Sequence, residues 1–177
     1  MTVCLVLGAI DRSGLQEHIC HLLDCTEASE ELLNLVENRA GGNFLYVEEF
    51  IISMGDAGIL VREGGRVTVE SEDTLAVPDK IEALIASRVD SLYPSQQYLL
   101  RTAAAIGQEF KLEMLIAIHP NTDMLSTLER DMKELVRKRF LEFTGEAKDT
   151  LRFCHTYVQE AVYSSALVDT QKQIHRR

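Results

Sequence analysis

The most constraining feature of the sequence is the order of periodicities between Ser95 and Ala166. Apolar residues first recur every three or four positions, the spacing of one face of an α-helix, in segments that glycine or proline separates. Alternating apolar and polar residues then flank Gly145, which predicts short strands joined by a turn. The helical spacing returns after Thr156. This order predicts helices, a hairpin and a closing helix.

The predicted helices of this half are bounded by residues with terminal preferences. Pro94 closes one helix, and Ser95 caps the next, which Gly107 ends. The helices are expected over residues 81–92, 95–106, 112–118 and 123–140. Helices followed by a two-stranded wing are the arrangement of a winged helix. We therefore expect a winged-helix-like lobe in the second half of the chain.

The first half predicts a separate helical lobe with its own small hairpin. Gly41 and Gly42 end one helix, and Asn43 is a good cap for the next. Residues 59–62 and 66–70 are short strand candidates on either side of a glycine pair. Without a long linker, the chain is expected to fold as two packed, mainly α lobes.

Composition excludes several classes of protein. A formal net charge of −10 disfavours a general polyanion binder, because phosphate contacts need clustered Lys and Arg. No apolar run approaches the roughly 20 residues that span a bilayer, so no membrane partner is expected. The first residues lack the basic and apolar regions of a secretory signal. Four scattered cysteines indicate a reducing compartment, so we expect a cytoplasmic location.

The sequence lacks the residues that phosphate chemistry requires. It contains no G-x-x-x-x-G-K-[ST] loop, and no strand ends in the paired acids that hold Mg²⁺. A nucleophile elbow and a plausible Ser/His/Asp set are also missing. We therefore expect this chain by itself to be no enzyme and to carry no cofactor.

His18, Cys20, His21 and Cys25 are metal-ligand types close together in sequence. One straight helix offers at most two ligands to a tetrahedral zinc ion, whose ligands must converge from several directions. No second cluster stands elsewhere in the sequence. Helix-packing residues are the preferred interpretation, and no metal site is predicted.

His155 lies where the spacing changes from strand to helix. Thr156 and Gln159 have the spacing of a capping box, which places His155 one residue before a helix N-terminus. Free N–H groups and the positive end of the helix dipole favour an anion there. The ring either senses a phosphate or hydrogen-bonds the local turn, and the local sequence leaves both alternatives open.

Basic residues gather at the end of the long helix, at Lys133, Arg137, Lys138 and Arg139. A winged-helix DNA binder would read the major groove with this helix. Cations at a helix C-terminus are also what the helix dipole favours. Because the chain is acidic, nucleic acid is the less favoured partner.

Several short motifs, taken in order, resemble a known family. They are residues 40–49 (AGGNFLYVEE), 77–78 (VP), 85–92 (IASRVDSL), 103–110 (AAAIGQEF), 153–155 (FCH) with 159–163 (QEAVY), and 174–177 (IHRR). The series is similar to the lid and winged-helix portion of signal-transduction ATPases with numerous domains, the STAND class. The closer likeness is to the ATPase modules of LuxR-type regulators and of soluble, type 10-like adenylate cyclases.

The resemblance implies a domain plan. Such proteins carry a nucleotide-binding core, a helical lid, a winged helix and then a helical repeat array. Residues 1–77 would hold a remnant of the core and the lid, 78–169 the winged helix, and 170–177 the start of the repeats. The partners would be the core and repeats of a parent chain, with ATP or ADP and Mg²⁺ as its cofactors. The chain then looks like a fragment or the product of a truncated gene model.

The resemblance also implies nucleotide contacts. In the family a GNP segment borders the adenine, and a winged-helix histidine approaches the ADP β-phosphate in a closed resting state. Asn43 and His155 match these positions, whereas Phe44 replaces the family proline and leaves the adenine contact open. The implied function is a non-catalytic regulatory module that senses nucleotide state. The alternatives are a winged-helix DNA-binding regulator and a piece of an adenylate cyclase, whose metal-binding acids are not recognisable here.

Overall fold

The computed structural model describes residues 11–69, 78, 80–118, 125–145 and 149–174. Over these residues the protein is mainly helical, as the sequence predicts for the fold class, and it has two small three-stranded sheets in place of the two predicted hairpins. The helices are α1 (Arg12–Leu23), α2 (Glu30–Ala40), α3 (Phe44–Asp56), α4 (Ile81–Asp90), α5 (Pro94–Ile106), α6 (Leu112–Ile118), α7 (Leu125–Arg137) and α8 (Thr156–Ile174). The strands are β1 (Glu27–Ala28), β2 (Leu60–Glu63), β3 (Arg66–Val69), β4 (Glu109–Lys111), β5 (Leu141–Thr144) and β6 (Thr150–Phe153).

The chain divides into two compact units between Leu84 and Ile85, inside α4. Each unit has its own core and its own sheet. The boundaries at 77/78 and 169/170, which the family resemblance implies, stay predictions. The strand expected at residues 1–7 lies outside the described residues.

The sheet of the first unit has the order β1-β3-β2. The hairpin β2–β3 is confirmed, and both Gly64 (φ 57°) and Gly65 (φ 86°) have the positive φ that a tight two-residue hairpin turn requires. A side chain at Gly65 would also meet the Thr26 hydroxyl at 2.8 Å. That threonine leads into β1, which pairs in parallel with β3. The two-residue β1 has no periodic pattern, so the sequence did not predict it.

The core of the first unit lies between α1, α2, α3 and this sheet. Its largest fully buried side chains are Ile19, Leu32, Leu33, Phe50, Ile51, Met54 and Leu84. With Leu15 and Val36, which are also buried, the buried residues of α1, α2 and α3 recur three or four positions apart, which is why these helices could be located from the sequence. The polar cap of α2 is buried as well. Ser29 is 1% exposed, and its hydroxyl accepts the Leu32 N–H at 3.2 Å.

In the second unit, α5, α6 and α7 are followed by the hairpin β5–β6 and by α8, the winged-helix order expected from the sequence. Its wing has three strands rather than the predicted two, in the order β4-β6-β5. The additional strand β4 is three residues long, too short for a period to be detected. It is recognisable only through its pairing with β6, which brings the Phe110 and Phe153 rings to 6.4 Å.

The start of α5 also differs from the prediction. Tyr93 is the N-cap and Pro94 is the first helical residue, so Ser95 does not cap the helix. Proline suits this position because its missing N–H would have no partner in the first turn. Gln96 is 4% exposed, and its Oε1 accepts the Tyr93 N–H at 3.1 Å. The Gln96 Nε2 atom lies 3.4 Å from Oδ1 of the buried Asp131 on α7.

Arg88 on α4 is a buried cation of the second unit, with 3% of its surface exposed. Its guanidinium lies over the Phe140 ring, with 4.4 Å from Cζ to the ring centroid. It also donates a hydrogen bond to the Lys138 carbonyl just after α7. An arginine pairs with a ring face and a carbonyl at once because its flat cation has several donors in fixed directions. Arg88 therefore ties α4 to the end of α7.

We predict that Arg88→Ala lowers the free energy of unfolding of the second unit by about 3 kcal/mol. The substitution leaves a cavity over Phe140 and removes a donor from the Lys138 carbonyl. Chemical denaturation followed by circular dichroism measures the loss. Arg152→Ala is the control, because Arg152 is half exposed and forms a surface ion pair with Glu142. Its midpoint should hardly move, and equal losses in the two variants would contradict the role given to Arg88.

Candidate functional site

Asn43 is the N-cap of α3, as predicted from the sequence. Its side-chain Oδ1 accepts the Tyr46 N–H at 3.2 Å, and its carbonyl accepts the Val47 N–H at 3.1 Å. The preceding Gly41 and Gly42 have positive φ values of 54° and 83°, which turn the chain sharply from α2 into α3. The acceptor of the Asn43 side chain therefore serves the helix start.

Phe44, the first residue of α3, has a partly exposed ring. The side chain is 46% exposed, and its ring lies 4.2 Å from the His18 ring at an interplanar angle of 60°. His18 Nε2 is 3.0 Å from a carboxylate oxygen of Glu48, one turn further along α3. A histidine on α1 thus supports the Phe44 ring, and Glu48 orients that histidine.

The sequence did not predict the contact between His18 and Phe44. In the sequence, His18 is of a metal-ligand type beside Cys20, His21 and Cys25, and the pattern indicates only that it packs within a helix. Its actual partners belong to α3, and only the packing of α1 on α3 brings them together. No local signal in the sequence relates α1 to Phe44.

The other three residues of this group do not converge with His18. His21 is exposed, and Cys20 lies next to Cys25, whose N–H donates to the Cys20 carbonyl at 3.0 Å. Within the described residues, no three or more histidine, cysteine or acidic side chains form a group that could hold a metal ion. Burial, together with the neighbouring Cys25 thiol, raises the pKa of Cys20 to about 11.

His155 lies between β6 and α8, directly before the first helical residue, as predicted. It is half buried, and its carbonyl accepts the N–H groups of Val158 at 3.1 Å and Gln159 at 3.3 Å. The two residues before it are also held. The Phe153 N–H donates to the Gln108 carbonyl at 2.9 Å, and the Cys154 N–H donates to the Phe140 carbonyl at 3.1 Å. The backbone leading into His155 is therefore fixed by two other segments.

The predicted capping box at this helix is wrong. Thr156 is the first residue of α8 rather than its cap. Instead the Gln159 Nε2 donates to the carbonyl of Ala104 on α5 at 2.7 Å. The helix begins earlier because the His155 carbonyl accepts the first bonds of the turn. The polar side chain is then free to tie α8 to α5.

The first turn of α8 is accessible to a ligand. Thr156 is exposed and Tyr157 is 37% exposed. The first N–H groups of a helix have no acceptor within it, and the positive end of the helix dipole lies there. His155 is half buried and directly precedes this turn in the chain. The start of such a helix is a favourable place for an anion.

Comparison with known proteins gives no match to a family model, to a curated protein or to a solved structure.

Asn43 and Phe44 belong to the first unit and His155 to the second. Among the described residues, no helix combines the length and the apolar character that crossing a bilayer requires.

We predict that Gln159→Ala lowers the free energy of unfolding by about 1–2 kcal/mol, because it removes the hydrogen bond between α8 and α5. Thr156→Ala is the matched control on the same helix turn. It should change stability little, since Thr156 does not cap the helix. Thermal or chemical unfolding measures both variants. A larger loss of unfolding free energy for Thr156→Ala than for Gln159→Ala would contradict this prediction and support the capping box.

We predict that Cys20 in the folded protein resists alkylation by iodoacetamide at pH 8. With a pKa of about 11, only about one Cys20 in a thousand is a thiolate at that pH. The rate should rise about tenfold per pH unit up to that pKa. Peptide mass spectrometry measures the modification, and the unfolded chain in denaturant is the control. Equal rates for folded and unfolded protein would contradict the prediction.

Proposed function

We propose that this chain is the lid and winged-helix portion of a STAND-type signalling ATPase and acts as a non-catalytic regulatory module that senses nucleotide state. The observation that carries the proposal is the placement of His155, directly before α8 on a backbone held by Gln108 and Phe140. The mainly helical fold, with a lid-like first unit and a winged-helix-like second unit, supports it.

His155 would distinguish ADP from ATP through a contact with the β-phosphate. An imidazole N–H donates a hydrogen bond to a phosphate oxygen, and the exposed start of α8 adds the favourable end of a helix dipole. A ligand shifts a conformational equilibrium only if its contacts differ between the two states. In the proposal, ADP holds His155 against the core of the parent protein, and ATP loosens this contact and favours an open, signalling form.

Asn43 and Phe44 would border the adenine on the lid. Asn43 fixes the start of α3, so it positions Phe44 rather than offering its own acceptor to the base. The Phe44 ring is 46% exposed and supported from behind by His18. A flat aromatic surface of this kind suits stacking with a purine. Phe44 would therefore replace the contact that a proline makes in the family.

The parent protein would supply the rest of the nucleotide site. The nucleotide-binding core would hold the phosphate-binding loop, Mg²⁺ and the ATP or ADP. This chain would be the regulatory partner of that core. The helical repeats that follow would be the second partner. The site of action would be the cytoplasm, where adenine nucleotides are available and thiols stay reduced.

A winged-helix DNA-binding regulator is the second candidate, and the cations of α7 favour it. Two of them are engaged in ion pairs on their own helix, Lys133 with Glu129 at 2.7 Å and Arg137 with Glu134 at 2.9 Å. These pairs reduce the charge that is available to neutralise phosphates. A gel shift at low salt separates the candidates, because the proposed module should not shift duplex DNA. The proposed module should also form no cyclic nucleotide, whereas an active fragment of a cyclase would form one.

The test of the proposal is to measure ADP binding by the parent protein that carries His155→Ala. Loss of one hydrogen bond to a charged phosphate should weaken ADP binding about tenfold and favour the activated form. Isothermal titration calorimetry measures the affinity, and the activity of the effector domain measures activation. His21→Ala is the control, because it removes an exposed histidine from α1.

Unchanged ADP affinity and unchanged activation in His155→Ala would exclude the sensor role. The genomic DNA upstream of this chain provides an independent test. A phosphate-binding loop in the same reading frame is expected within a couple of hundred codons. Its absence there would remove the nucleotide-binding core on which the proposal depends.

A further inference from the structure

A groove of about 650 Å³ lies in the second unit, beside the first turn of α5 and the end of α7. Its volume is in the range of about 300–1,000 Å³ that is typical of small-ligand sites. Tyr93, Ser95 and Gln96 line it from α5 and its cap, and Arg130, Arg137 and Lys138 line it from α7 and the residue after it. None of these residues takes part in the contacts of His155 described above.

The groove is basic although the chain is acidic. Arg130, Arg137 and Lys138 are cationic, and Glu134 is the acidic residue of the lining. The formal net charge of the whole chain is −10. Positive side chains are therefore concentrated at this groove although the protein as a whole is negatively charged. A negatively charged ligand would be attracted to the groove.

Both arginines keep accessible charge despite their ion pairs. The Arg137 side chain is 65% exposed, and its Nε lies 2.9 Å from a carboxylate oxygen of Glu134. The Arg130 side chain is 67% exposed, and it contacts Oδ1 of the adjacent Asp131 at 3.2 Å. A guanidinium has five N–H donors, so one carboxylate oxygen leaves donors for a second acceptor. A phosphate group is such an acceptor, because it binds arginine through two parallel hydrogen bonds.

The two walls of the groove are held in register by buried polar groups. Gln96 accepts the Tyr93 N–H and contacts Asp131 on α7, and both Gln96 and Asp131 are buried. This connection fixes the cap of α5 relative to Arg130, the neighbour of Asp131. The α7 backbone that carries Arg130 is therefore held beside the start of α5 before a ligand binds, which reduces the cost of binding.

We propose that this groove binds the phosphate group of a small soluble ligand. Its volume suits a compact ligand, and the acidity of the rest of the protein opposes a long polyanion such as DNA. The site is distinct from the one proposed at His155. The Gln159 contact on α5 is at Ala104, nine residues from Ser95, which is about 14 Å along a helix.

Pyrophosphate is the probe, titrated into the whole chain at low salt. Calorimetry measures the affinity, and backbone amide shifts in NMR spectra locate the site. The test variant combines Arg137→Gln with Lys138→Gln. The control variant combines Lys111→Gln with Lys133→Gln, which makes the same change in net charge on exposed side chains outside the groove. Unfolding curves for both variants verify that each is folded.

We expect pyrophosphate to bind the natural chain and the control variant alike, with shifts at Ser95, Gln96 and Arg137. The test variant should bind at least about tenfold more weakly. Equal weakening of pyrophosphate binding in both variants would show that only the net charge matters and would overturn the proposal. The absence of binding at millimolar pyrophosphate would also overturn it. A short DNA duplex that binds the groove more tightly than pyrophosphate would also overturn it, in favour of nucleic acid. None of these results depends on ADP or His155.

Discussion

The anchoring of β6 and the following turn is the interaction on which the second unit depends. The strand pairs with β4 on one side and β5 on the other, and its last residue exchanges hydrogen bonds with Gln108. The Cys154 N–H donates to the Phe140 carbonyl, and Gln159 donates to Ala104. The hairpin, the end of α7 and the end of α5 therefore all converge on the start of α8. The backbone on either side of His155 is therefore fixed, as the proposed sensor role requires.

Buried polar groups help to specify how the helices of the second unit pack together. Arg88 contacts a ring face and donates to a carbonyl, and Asp131 is contacted by Gln96 and Arg130. Each of these groups would destabilise the fold if its partner were removed, because an unpaired polar group in the interior loses its hydration. They also connect helices that apolar contacts alone would leave free to slide. The same connections position the basic groove beside the start of α5.

The two units place different chemistry on their surfaces. The first presents an aromatic ring, Phe44, held by His18 at the start of a helix. The second presents His155 before α8 and, at the other end of α5, a groove lined by Arg137 and Lys138. An aromatic surface suits a base, whereas helix starts and cations suit phosphates. This division is the physical basis on which a nucleotide-sensing role is proposed.

The sequence alone determined the main helices, the β2–β3 hairpin and the position of His155, because apolar spacing and turn residues act within a few positions of one another. It did not determine β4, which exists only through its pairing with β6. The choice of Ala104 as the partner of Gln159, and of His18 as the support of Phe44, was likewise made by packing between separate helices. Such contacts join residues far apart in the chain, so their pairing depends on the tertiary structure and leaves no local pattern.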